Sequence, residues 1–311
     1  MRKLILVLAV LAAAPVHALS QNGWDDPFAA HQVMDNLYFV GTGGLGTFLI
    51  TTPEGHILIN TDFERTIPMI ERSMAELGFD LADIKIILGS HAHGDHQAAD
   101  VFLRERIGAQ IMIMEEDVEP WQRMNRGAGE VQIDRILHDG EKVTLGGTTL
   151  VAHLTPGHTQ GCTSWGMELE ENGRTYNALI VCSFGVNNGY NLIDNPNYPN
   201  QAEDYRATFA KARAMPVDVF LGSHGSFYGL RGKYETLQRR NESDPNPFVD
   251  HAGYLDYIDQ YEQRFQAMLE TQQRPNRCRR DLRSKEGRGS CPSGPGDHLK
   301  SWGRQRKIEA R

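Results

Sequence analysis

The sequence predicts an α/β protein built as a four-layer αββα sandwich, and three observations carry that expectation. Short apolar runs of strand type alternate with helical segments instead of clustering by type. The same order, strands followed by helix, strand and helix, occurs twice along the chain, so each half can supply one central sheet and its outer helices. Turn signals such as Pro53-Glu54-Gly55 separate the strands, and no short-period repeat points to a solenoid.

In chain order, Leu37-Tyr38-Phe39-Val40, Thr47 to Thr52 and His56 to Thr61 read as short strands of a meander. The period then changes: Ile67, Ile70, Met74 and Leu77 recur at helical spacing and Gly78 stops the segment. Ile84-Lys85-Ile86-Ile87-Leu88 is a strand, and Gln97 to Arg106 is compatible with a helix that begins near Asp95. Ile111 to Met114 is a short strand, Glu115 to Arg126 is partly helical, and Gly127 to Glu130 is a loop. Trp121 and Met124 lie near that loop, where packing is the expected role ahead of substrate contact. In the second half, Lys142 to Leu145, Thr149 to Leu154, Thr163 to Leu169 and Thr175 to Val181 read as strands. Tyr205 to Ala212 is helical and Val217 to Leu221 is a strand. His251 to Gln273 is a long helix with Leu255, Ile258, Tyr261, Phe265 and Met268 on one face.

Composition bounds the function. Arg2 and Lys3 precede an apolar run, Leu4 to Ala14, and a small-residue pattern ends near Ala18. Residues 1–18 therefore read as a secretory signal peptide, which implies export to the periplasm without stable membrane insertion. Residues 274–311 hold 12 Lys+Arg against 4 Asp+Glu and residues 1–18 hold two basic residues, so the full-chain charge of −8 leaves 19–273 at −18. An acidic body argues against nucleic acid as a partner. The domain is expected over 19–273, with 274–311 as a basic, disordered tail. Cys162, Cys182, Cys278 and Cys291 show no disulfide framework by spacing, and their pairing stays open.

The chemistry concentrates in Ser90-His91-Ala92-His93-Gly94-Asp95-His96, directly after a strand. In an extended segment His91 and His93 point the same way, and Gly94 lets the backbone turn before Asp95 and His96. Imidazole and carboxylate are the ligands that zinc takes in catalytic sites. Two more histidines follow strands in glycine-flanked loops: His158 in Thr155-Pro156-Gly157-His158-Thr159-Gln160-Gly161, and His224 in Gly222-Ser223-His224-Gly225. If those strands end at one sheet edge, six donors converge: His91, His93, Asp95, His96, His158 and His224. Six are too many for one tetrahedral zinc and suit two Zn²⁺ ions with open positions.

The runs His91 to His96, Gly157 to Trp165 and Gly222 to His224 resemble the metallo-β-lactamase superfamily, over most of residues 30–272. Gly157-His158-Thr159-Gln160-Gly161-Cys162-Thr163-Ser164-Trp165 resembles subclass B3 in particular. Many superfamily hydrolases place a bridging Asp on the strand that here reads Ile180-Val181-Cys182-Ser183-Phe184, and no carboxylate is present. Ser183 aligns with that site, as in subclass B3; a one-residue slip would put Cys182 there as a ligand. The resemblance implies one zinc on His91, His93 and His158 and a second on Asp95, His96 and His224. It further implies attack of a metal-bound hydroxide on the β-lactam carbonyl, with Asp95 as catalytic residue orienting the nucleophile. The substrate carboxylate needs an anchor: Ser183 fits, Gly185 departs from the Ser-rich pattern, and Asn187 or Asn188 can donate instead.

Two other readings stand beside this one. A zinc-dependent hydrolase of another ester, thioester or lactone would use the same fold, although the missing bridging carboxylate counts against it. A non-catalytic periplasmic zinc-binding protein would gain nothing from open coordination positions.

Overall fold

Alternation along the strands of the first half decides how the layers stack. A computed structural model describes residues 23–129, 131–241 and 243–284; the expected signal peptide lies outside the described residues. In β3 (Phe48–Thr52), Phe48 and Ile50 belong to one apolar cluster and Leu49 to another. The same switch occurs in β4 (Gly55–Ile59), with Ile57 and Ile59 against Leu58. It recurs in β6 (Gln110–Met114), with Met112 and Met114 against Ile111 and Ile113. A two-residue period with apolar residues on both faces requires cover on both sides.

These strands join β1 (His31–Met34), β2 (Leu37–Phe39), β5 (Ile84–Leu88) and β7 (Arg135–Leu137) in a seven-stranded sheet that follows sequence order. β1 to β4 pair antiparallel, whereas β4 to β7 pair in parallel. Parallel neighbours need crossover connections, and helices supply them. These are α1 (Ile67–Glu76), the short α2 (Gly94–Gln97) with α3 (Asp100–Ile107), and α4 (Val118–Met124). They cover the outer face through Ile67, Ile70, Met74, Leu103 and Trp121.

The second sheet runs β12-β11-β10-β9-β8. Its strands are β8 (Lys142–Leu145), β9 (Thr148–Leu154), β10 (Thr163–Glu171), β11 (Arg174–Val181) and β12 (Val219–Gly222). Only its β11–β12 pair is parallel, and α5 (Gln201–Ala214) makes that crossover. One large core fills the space between the sheets with Phe39, Phe48 and Trp165, and continues to α5 and α7 (His251–Ser284) through Phe209, Tyr254 and Phe265. The result is the expected four-layer sandwich of two sheets with helices outside.

Sequence pattern misses β1, β7 and α6 (Leu230–Arg239). The two strands have four and three residues, and α6 buries only Leu230, so each carries too short a pattern to read. α7 continues to Ser284, beyond the expected helix end at Gln273 and into the segment expected to be disordered. Composition marks a charge change at Arg274, and Pro275 directly after it is a stop signal, but the helix nevertheless runs through it; the first glycine beyond is Gly287. Among the described residues, no helix is long and apolar enough to cross a membrane.

Candidate metal centre

The site forms at one edge, where β4, β5, β9, β11 and β12 all end and β10 begins. The loop after β4 clamps the loop after β5: Asn60 Oδ1 accepts from the Ser90 amide (2.9 Å), and the Thr61 and Asp62 amides donate to the His96 carbonyl (2.8 and 3.1 Å). The His93 carbonyl accepts from the amides of His96 and Gln97, so the helix expected near Asp95 begins there as the one-turn α2, and α3 follows as a separate helix. The sheets meet here as well, with the Thr163 amide donating to the Ser90 carbonyl (2.7 Å) and Trp165 Nε1 to the Gly89 carbonyl (3.0 Å).

The six predicted donors arrive as two adjacent triplets. Potential ligand atoms of His91, His93 and His158 lie within 4.8 Å of one another, and so do those of Asp95, His96 and His224. The rings of His91 and His96 are 4.4 Å apart by centroid, which joins the triplets into one centre. Hydrogen bonds orient the rings from behind. His158 Nδ1 donates to the Gly185 carbonyl (2.7 Å) and His224 Nδ1 to the Gly44 carbonyl (3.3 Å), so each keeps Nε2 as its free acceptor. Ser90 Oγ stands 3.2 Å from His91 Nδ1. Asp95 Oδ2 faces Nε2 of His96 at 3.4 Å and of His224 at 3.6 Å.

His96 tests the fit to a metal most sharply. It is fully buried and neither ring nitrogen has a hydrogen-bond partner. A buried polar atom without a partner is costly, and coordination would satisfy it. Burial pushes His91 and His96 well below the ordinary histidine range, and the surrounding imidazoles push further. Burial also takes His158 down to about 3, helped by His93 and opposed by the Gly185 carbonyl. His93 and His224 are lowered by burial against the pull of Asp95. Five imidazoles are thus held neutral, the form that binds a cation.

Three buried carboxylates brace the centre. Asp117 Oδ2 accepts from the Ala92 amide (2.8 Å) and Thr159 Oγ1 (3.2 Å), and its Oδ1 from the Gly161 amide (3.0 Å), tying the first motif loop to the His158 loop. Burial raises it to about 6, against those three donors. Asp100 accepts from Thr61 Oγ1, Trp121 Nε1 and Gln97 Nε2; Trp121 is therefore a packed structural residue, as expected. Asp62 accepts from Thr47 Oγ1 (2.7 Å), and burial lifts its carboxyl to about 8, opposed by that bond and reinforced by the charge of Asp95. Gly157 sets the path of the His158 loop: its φ is +134°, and a Cβ there would meet the Tyr205 ring at 2.7 Å.

Five of the six donors, all but His96, line a cleft of about 380 Å³. Ser183 lines it, with Oγ accepting from the Gly185 amide (3.2 Å), and so does Asn187; Asn188 does not. The turn that carries this pair exposes both side chains but aims only the first at the cleft. Cys182 is bonded to Cys162, which removes the alternative in which its thiolate serves as a ligand; the pair backs onto His91, with Cys182 Sγ 3.4 Å from Nδ1. No side chain is described for Cys278 or Cys291. Pattern reasoning missed the remaining walls: Trp24 from the N-terminal segment, Phe227 after His224, and Tyr261, Arg264 and Met268 from α7. Tyr261 and Met268 were legible as the apolar face of a helix, but nothing local says that this face ends at a cleft.

Comparison with known proteins agrees with this geometry. The family model described as metallo-beta-lactamase superfamily matches residues 46–224. The native FEZ-1 metallo-beta-lactamase from Legionella gormanii is 43% identical, over 80% of this chain and 98% of that one, with a TM-score of 0.76. BJP-1, a subclass B3 metallo-beta-lactamase of Bradyrhizobium japonicum, is 37% identical over 80% of this chain and 97% of that one, with a TM-score of 0.74. A probable metallo-hydrolase of Burkholderia pseudomallei is 32% identical over 92 residues, which is 27% of this chain; the match spans about a third of that relative's length, 31%. The matched stretch holds all six candidate donors and every strand of the two sheets except β1 and β2, and the chain belongs to the metallo-beta-lactamase superfamily.

Proposed function

We propose that this protein is a periplasmic, subclass B3-like metallo-β-lactamase that opens the amide bond of β-lactam antibiotics with two zinc ions. One observation carries the reading: two three-donor sets meet at a single cleft, and one of their members, His96, is buried with no hydrogen bond to either ring nitrogen. The likeness to FEZ-1 and BJP-1 along nearly their whole length supports β-lactams as the substrate class. The N-terminal charge and apolar pattern supports export.

His91, His93 and His158 would hold one ion, and Asp95, His96 and His224 the other. When bound, zinc supplies water activation at neutral pH and Lewis-acid polarisation of a carbonyl. The chain does the rest. Asp95 keeps Oδ2 toward His96 and His224, so Oδ1 is the atom that accepts a hydrogen bond from the attacking water and orients it. Ser183 and Asn187 stand on the wall where they can donate to the substrate's carboxylate. Trp24, stacked on His224 (6.2 Å between centroids), and Phe227, packed edge-on to it (5.0 Å), limit solvent at the reacting edge. No nucleophilic side chain is required, because the attacking oxygen comes from water.

The test is to follow ring opening of a penicillin and a carbapenem by the purified protein, as isolated, after chelation and after zinc is returned. Opening that disappears with the chelator and returns with zinc supports the reading. A folded protein that carries two zincs and opens neither compound would falsify it, and lactones and thioesters would then be the substrates to try.

A further inference from the structure

The geometry points to Arg264 as the residue that anchors the substrate's carboxylate. The inference rests on the β-lactamase reading and adds a specificity-determining residue to it. The wall expected to bind that carboxylate is thin. Ser183 offers one hydroxyl, whose oxygen already accepts from the Gly185 amide. Asn187 points its Nδ2 at Tyr190 Oη (3.4 Å). Gly185 contributes no side chain, and α7 packs close against it: a Cβ on Gly185 would lie 3.4 Å from Ser183 Oγ and 3.3 Å from Tyr261 Cε1. One helical turn beyond Tyr261 is Arg264, which lines the same cleft as Ser183 and Gly185.

Among the described residues that line the cleft, Arg264 is the one Lys or Arg. Its guanidinium carbon sits 5.1 Å from the centroid of the Tyr261 ring. That ring is itself fixed by Tyr257 (4.4 Å) and Phe227 (5.7 Å). A guanidinium resting on a packed aromatic face is oriented before any ligand arrives. The nearby acids of α7 do not compete for it, since Asp259 and Glu262 are both paired with Arg213 of α5. The planar fork suits a carboxylate held in that cleft, with the Ser183 hydroxyl as a further donor. The ligand class is therefore a bicyclic β-lactam with a free carboxylate next to the ring nitrogen.

Two pairs of compounds test this with wild type, Arg264→Ala and Arg264→Lys. In the first pair, a penicillin and its methyl ester, Arg264→Ala should raise KM for the acid about 10- to 100-fold, with kcat within about threefold and the ester unaffected. Arg264→Lys should restore part of the loss. The second pair needs no turnover: 3-mercaptopropionate and its methyl ester are titrated calorimetrically into zinc-loaded protein. The acid should bind wild type more tightly than the ester, and Arg264→Ala should close the gap. Equal losses for acid and ester, or no loss for either, would overturn the assignment of Arg264. If wild type opens no β-lactam but the mercaptoacid gap exists and closes in the variant, Arg264 stands and the β-lactamase reading falls. Arg264 is exposed, so equal melting temperatures are expected and would exclude misfolding as the cause.

Discussion

Asp117→Asn separates the brace of the centre from its donors. The substitution keeps the shape and changes one acceptor into an NH₂ group. Asp117 accepts three hydrogen bonds while buried, two from backbone amides of the loops that carry His91, His93 and His158. Whichever way the amide turns, one N–H donor, of Ala92 or of Gly161, meets another donor. Leaving one buried donor unpaired costs about 1–3 kcal/mol. For a domain of this size that lowers the melting temperature by roughly 2–12 °C, at about 2–4 °C per kcal/mol. The loops would then hold their histidines less firmly, and zinc affinity should fall about 10- to 100-fold, the usual effect of removing a group that orients ligands. Melting of the zinc-free protein and competition for zinc against a chromogenic chelator measure the two effects separately. A stability loss in that range with zinc affinity changed less than about threefold would refute the bracing role and leave Asp117 as ordinary support for the fold.

Three further outcomes follow from the same structure. His96→Ala should lower bound zinc from about two ions to about one per chain, read by metal analysis of the folded protein; unchanged stoichiometry would remove His96 from the donor set. His31 is buried against Phe39 and Phe248, and burial takes its pKa down to about 4, opposed by its bond to the Ala29 carbonyl. Its folded pKa lies below the unfolded value near 6.5, so its stability contribution is whole above that value and is lost as pH falls toward 4. Between pH 7 and pH 4.5, zinc-free wild type should therefore lose about 2–3 kcal/mol more than His31→Phe in urea titrations; equal losses would show that His31 is not held neutral. Gly157→Ala places a Cβ against Tyr205 at a backbone angle that side chains rarely adopt, and should cost about 1–3 kcal/mol or more, read by calorimetry.

Particular residues show where local sequence suffices. α1 was readable because Ile67, Ile70 and Met74 repeat at the helical period and Gly78 follows. The first four donors were readable because metal chemistry selects side-chain types, and four of those types fall within six positions after a strand. Asp117 was not readable. It ends the run Glu115-Glu116-Asp117, which looks like a solvated acidic turn until the fold covers it with two loops. The pairing of Cys162 with Cys182 was open for the same reason, since it depends on β10 and β11 lying side by side. Arg264 shares a helix with many charged residues, and only the packing of α7 over the end of β11 distinguishes it.

By itself, then, the sequence determined the layer order, the donor types and the loops that hold them, because hydrophobic period and ligand chemistry act over a few neighbouring residues. The tertiary structure alone decided that His158 and His224 reach His91 and His96, that Asn187 faces the cleft and Asn188 does not, and that α7 completes the wall. Those facts depend on where segments tens of residues apart come to rest when two sheets pack face to face, and no local pattern encodes that distance.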